Sequence, residues 1–297
     1  AQADDNLSLG RALANLSDPL AVTAPAAAAE AARTAAGHLR RAGARDYLSI
    51  AIGNLAQALL LLGDWDAAEE ALAQAGDADG LADREFLAWY RGWLAALRGD
   101  AVTAQAVLAG LRDMQASEDH QDQASVSLLE ASTADTRRQP LDALRHARAT
   151  LAHAGALGIS HELLRWAWPL AARAAHDLRD PAAGELLALL DSYMPGHLGS
   201  MLRAERELAR ARLAASNGDQ SGAASLAAAV SGLRELSTPY HLAHGLLDHA
   251  QHLARLHDAV AAEAAIGEAR DIARNLRCQP LLDRAANITS VQSPVQT

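Results

Sequence analysis

From Ala51 to Leu72, apolar positions recur three and four residues apart in two runs that flank a Gly63–Asp64 break, which predicts two helices joined by a tight turn. Similar breaks stand at Gly99–Asp100, Gln139–Pro140, Asp180–Pro181, Gly218–Asp219 and His257–Asp258, so six helical hairpins are expected with a period of about 40 residues. Two columns of small residues keep register with these turns. Ala56, Gly92, Ala131, Ala172, Ala211 and Ala250 precede them, and Ala68, Ala104, Ala143, Gly184, Ala223 and Ala262 follow. Small side chains at such positions let antiparallel helices approach closely, and hairpins of this kind bury their second faces only by stacking on neighbours.

Residues 26 to 43 read as the second helix of a degenerate leading hairpin whose first helix spans residues 6 to 17. The domain plan is then a leading hairpin or cap over 1–45, a continuous array of six hairpins over 46–286, and a polar tail over 287–297. Pro19, Pro25, Pro140, Pro181, Pro195, Pro239 and Pro280 are expected between helices, where proline starts or stops them. Pro169 falls inside the pattern from Trp166 to His176 and predicts a late start or a kink.

Composition agrees with an all-α fold: half the residues are apolar, mostly Ala and Leu, and aromatics are only 3%. All 26 basic residues are Arg, so a lysine-dependent phosphate loop, Schiff base or Ser-Lys dyad is excluded. The net charge of -10 without a basic stripe argues against nucleic acid as a partner. With Cys278 alone there is no internal disulfide, which with the absence of a membrane-length apolar run predicts a cytoplasmic protein. The missing initiator Met predicts a piece of a longer chain, and the excess of Ala and Arg suggests a bacterial source of high GC content.

Asn54-Leu55-Ala56, Leu59, Gly63-Asp64-Trp65 and Ala68 resemble the tetratricopeptide consensus. Glu130 and Arg210 depart from it at positions where that consensus has large apolar residues. Over a longer range, Asn54 to Leu72 and Thr238 to Ala285 are similar to the C-terminal helical arms of large bacterial signalling ATPases, the nucleotide-cyclase-linked and LuxR-type regulators. The resemblance implies a right-handed superhelical solenoid of about six full repeats plus a degenerate N-terminal one. It also implies a sensing or docking role and a protein, peptide or small-effector partner held in a concave groove. Projected onto this chain, the groove positions are Phe86, Trp89, Trp93 and Ala96, then Trp166, Pro169, Arg173 and His176, then Glu205, Leu208 and Arg212. Trp and Arg suit binding anchors, but an Ala-rich core also needs large side chains to fill it, and both readings stay open.

On a helix, His241, His244, Asp248 and His252 share one stripe that would present metal ligands. A solvated face is the preferred reading because no HExxH motif or second Cys/His cluster accompanies it. No G-x-S-x-G turn occurs, and Cys278 reads as a small apolar filler. The sequence therefore predicts a non-catalytic binding scaffold without a cofactor. The competing expectations are a self-association module forming a homo-oligomer, and the C-terminal part of a nucleotide-dependent enzyme.

Overall fold

The computed structural model describes residues 2–75, 81–216 and 222–292, and among these it is all-α, with no strand. The helices are α1 (Gln2–Thr23), α2 (Pro25–Ala42), α3 (Arg45–Leu62), α4 (Trp65–Ala73), α5 (Leu81–Arg98), α6 (Ala101–Gly110), α7 (Arg112–Ala116), α8 (His120–Thr136) and α9 (Pro140–Leu151). There follow α10 (Ala154–Leu157), α11 (Glu162–Leu178), α12 (Ala182–Asp191), α13 (Ser200–Ser216), α14 (Gly222–Leu236), α15 (Pro239–Arg255), α16 (Ala259–Leu276) and α17 (Gln279–Gln292), with a 3-10 turn at Pro195–His197.

Five of the expected turns share one backbone device. Gly63, Gly99, Arg138, Arg179 and His257 adopt the left-handed conformation, with φ of 80°, 103°, 57°, 54° and 63°. At Gly63 the turn N–H bonds back to the Leu60 carbonyl and the next N–H to the Leu59 carbonyl, which satisfies the end of α3. The next helix is then opened by a carboxylate: Asp64 accepts from the Ala67 N–H, Asp100 from Thr103, Asp180 from Ala182 and Asp258 from Ala261. Pro140 opens α9 instead, where its missing N–H costs nothing. The Gly218–Asp219 turn lies outside the described residues.

The small-residue column before the turns is buried at all six positions, Ala56, Gly92, Ala131, Ala172, Ala211 and Ala250. The column after them is not. Ala68, Ala104, Ala143 and Ala262 are fully buried, but Gly184 is exposed and Ala223 only half-buried. In those two hairpins Ala182 and Gly222 take the buried place, because the second helix has rotated relative to the turn. Two prolines also differ from expectation. Pro19 lies inside α1, and α11 starts at Glu162 and continues through Pro169. Ala14, Ser17 and Ala21 are buried on either side of Pro19, and Trp166, Trp168, Leu170 and Ala174 around Pro169. Packing of those faces outweighs the lost backbone hydrogen bond.

Most helices pack on their chain neighbours, and the C-terminal helices then meet the region from α3 to α8. Cys278, buried and with its thiol pushed up to about 12 by that burial, donates to the Leu97 carbonyl at 3.1 Å. Arg98 Nε donates to the Leu276 carbonyl at 3.4 Å, Arg138 pairs with Asp283 at 2.8 Å, and Arg277 with Asp66 at 2.7 Å. Backbone approach is close at this seam: a Cβ on Gly63 would lie 2.8 Å from Pro239 Cγ, and one on Gly99 would lie 2.9 Å from Pro280 Cδ. The array is thereby closed around an interior that α5, α8, α11, α13 and α15 line, and one hydrophobic core runs through nearly the whole chain. No described helix is long and apolar enough to cross a membrane.

Candidate functional site

The positions that the resemblance assigns to a groove converge in this interior. Trp89 and Trp93 stack with centroids 5.1 Å apart, Trp93 meets Trp166 edge-on at 4.9 Å, and Trp166 continues to Tyr240 at 5.8 Å and to His241 at 4.7 Å. Trp89 donates to the Ser125 carbonyl at 2.6 Å, whereas the Trp93 indole N–H is buried without a partner. Trp93 is 1% and Trp166 4% exposed; Phe86 is half-buried at the edge of the cluster against Tyr90. Between Trp93, Trp166, Arg173 and Tyr240 only about 10 Å³ stays empty, room for one water at most. The aromatics fill the closed array instead of lining an open channel.

Deeper along the same interior lies a charge cluster. Arg173 pairs with Asp135 at 2.6 Å. Asp248 receives Arg212 Nε at 2.7 Å and Arg284 at 2.5 Å, and the second Arg284 nitrogen approaches His244 Nδ1 at 3.2 Å. Burial alone would raise the Asp248 carboxyl, but Arg212 and Arg284 outweigh it and hold the group at about 2. Glu205, 3% exposed, keeps Oε1 without a partner, and burial pushes its carboxyl up to about 7 against the pull of Arg212 and Arg173. His176 is half-buried nearby, its pKa lowered mainly by burial and next by Arg212.

The histidine stripe of α15 is not a solvated face. His241, His244 and His252 are buried and Asp248 faces the two arginines. That stripe packs against α11, α13, α14 and α17, with His241 on Trp166, Asp248 on Arg212 and Arg284, and His252 beside Gly222, so the helix buries its polar side as well. Burial, with Arg173 and Arg212, lowers His241 to about 3, and its Nδ1 lies 2.6 Å from Thr238 Oγ1. Neutral imidazoles among arginines are poorly placed to gather a cation, and no group of three potential ligands has metal geometry among the described residues.

A second feature was not singled out in the sequence. A cleft of about 750 Å³ lies where the α1–α2 joint faces the N-terminal ends of α11, α13 and α15, a size suited to a small organic molecule. Arg165, in the first turn of α11, lines it and is only 3% exposed. Its Nε is buried without a hydrogen-bond partner, and among the described residues no carboxylate forms an ion pair with the guanidinium. Glu162 and Asp18 act on it only at longer range. Glu162 instead accepts from the Tyr90 hydroxyl at 2.9 Å, and burial raises its carboxyl to about 7. A lone charge in the apolar run Leu163-Leu164-Arg165-Trp166-Ala167-Trp168 is the sequence signal that marks this residue.

No family model and no curated protein matches this chain.

Proposed function

We propose that the protein is a tetratricopeptide-like binding module, a solenoid of about six hairpins serving as the sensing or docking arm of a bacterial signalling regulator, without catalysis of its own. The reading is supported chiefly by the small-residue column, buried at all six positions and in register with the five described turns and the Gly218–Asp219 break in the sequence, the packing signature of stacked hairpins. The filled interior moves the expected binding surface from the concave groove to the cleft beside Arg165, which is open and of ligand size.

The test is a thermal-shift screen of the full chain against small metabolites and short peptides, repeated on Ser200→Trp, which places an indole at the cleft. Ligands that raise the midpoint for the parent but not for Ser200→Trp, at unchanged helical circular dichroism, support the reading. Ligands insensitive to that substitution put binding elsewhere, and a screen without ligands removes the proposal.

A further inference from the structure

We propose that the cleft is an oxyanion site, in which Arg165 anchors the carboxylate or phosphate group of a small organic ligand; this rests on reading the protein as a binding module.

The first observation is the unpaired arginine. A buried cation without a counter-charge is costly, and proteins normally supply an ion pair or hydrogen bonds. Arg173, Arg212 and Arg284 all have carboxylate partners in the interior. Arg165 is as buried as Arg173 and Arg212 and has none in contact among the described residues, with Glu162 and Asp18 acting only at longer range, yet it borders empty space. A planar guanidinium offers a two-pronged donor set that matches carboxylate and phosphate.

The second observation is what stands around it. α13, seventeen residues long, begins at Ser200 on the wall of the same cleft, so its leading amides and the positive end of its dipole act there. The flanking helix starts are already satisfied, since His161 accepts from the Leu163 N–H and Thr238 from the His241 N–H. Ser160 is also engaged, donating to the His197 carbonyl at 2.7 Å and accepting from the Gly199 N–H at 3.3 Å, which holds the loop before α13 in place. At the rim, Arg203 adds a second positive charge, its Nη1 bonded to the Leu198 carbonyl at 3.3 Å, against the exposed Glu235. The balance of charge lining the cleft is positive in a chain of net charge -10.

Ala21, Val22, Leu61 and Met201 add an apolar stretch to a wall that also carries Thr23, His197 and Ser237. It suits the carbon skeleton of an organic anion better than a bare inorganic ion.

The experiment is thermal unfolding and titration calorimetry on the full chain at pH 7.5 with sodium phosphate, sodium succinate and sodium chloride at matched ionic strength. The comparison is made on the parent, Arg165→Gln, and Arg274→Gln, whose exposed arginine pairs with Asp271 away from the cleft. The expected result is a saturable rise in midpoint with succinate or phosphate for the parent and Arg274→Gln, and at least a tenfold loss of affinity in Arg165→Gln. The general salting effect of phosphate appears in all three proteins and cancels in the comparison. A phosphate response larger than that of succinate assigns the phosphate group, and the reverse assigns the carboxylate. Equal midpoints in all three salts, or an undiminished shift in Arg165→Gln, overturn the proposal. If neutral molecules from the screen bind in a Ser200-dependent way while anions do not, the oxyanion assignment falls and the binding module stands. If nothing binds, both fall together.

Discussion

Gly63 and Pro239 meet where the two ends of the helical array close: a Cβ on Gly63 would sit 2.8 Å from Pro239 Cγ, and Gly63 itself holds a φ of 80°. Two separate demands therefore select glycine at this turn, a left-handed backbone and a close approach across the seam. Gly43 separates them, because it has a φ of 68° and nothing within 4 Å of its missing Cβ.

Gly43→Ala is expected to cost about 1 kcal/mol, the left-handed strain of an L residue. Gly63→Ala adds the clash with Pro239 and is expected to cost about 2 kcal/mol or more in total. Urea unfolding of the two variants measures the difference; equal costs would mean that closure at Gly63 carries no energy.

Trp93→Ala is expected to destabilise the fold by about 3–5 kcal/mol, because the ring is fully buried between Trp89 and Trp166 with almost no free volume beside it. The readout is the denaturation midpoint. A loss below about 1 kcal/mol would show that the interior collapses or fills with water, as an open groove would.

Asp248→Asn leaves Arg212 and Arg284 without their carboxylate and is expected to cost about 3–5 kcal/mol. Asp191→Asn, at the exposed Arg206 and Arg210 pairs, is expected to cost about 1 kcal/mol or less. The Asp248 contribution has a definite pH window. Its carboxyl is lowered from 3.8 to about 2, so the stability is present above 3.8 and is lost as pH falls toward 2. Acid titration of the difference between parent and Asp248→Asn checks both size and window.

Glu205 titrates with the opposite sign. Its carboxyl is raised from 4.5 to about 7, so the folded state binds its proton more tightly than the unfolded chain does. The folded protein therefore loses stability as pH rises from 4.5 through about 7. Glu205→Gln removes this dependence. Relative to the parent it should gain up to about 3 kcal/mol between those limits, with the gain complete above pH 7 and absent below 4.5. Unfolding at pH 4.5, 6 and 8 decides it, and a gain independent of pH would show that Glu205 is ionised throughout.

The helices, their turns and the close-packed column before each turn were legible in the sequence, because each depends on residues near one another in the chain. Periodic apolar positions choose a helix, Asp64, Asp100 and Asp258 cap the next one, and Ala56 or Ala131 has no bulk to keep a neighbour away. The same local reasoning failed at Gly184 and Ala223, where the second helix presents Ala182 and Gly222 to the interior instead. It failed also at His241, His244 and His252, whose spacing on α15 is the same whether that face meets water or protein.

Only the tertiary structure decided those cases, and the reason is closure. Whether Trp93 and Trp166 line a channel or fill a core depends on how many degrees each hairpin rotates against the last, which no local pattern records. Closure sets Cys278 against the Leu97 carbonyl, brings Arg284 of α17 to Asp248 of α15, and leaves Arg165 alone at the edge of a cleft. The sequence by itself determined which segments are helices and where they turn, and the sum of small rotations between them determined which charges found partners.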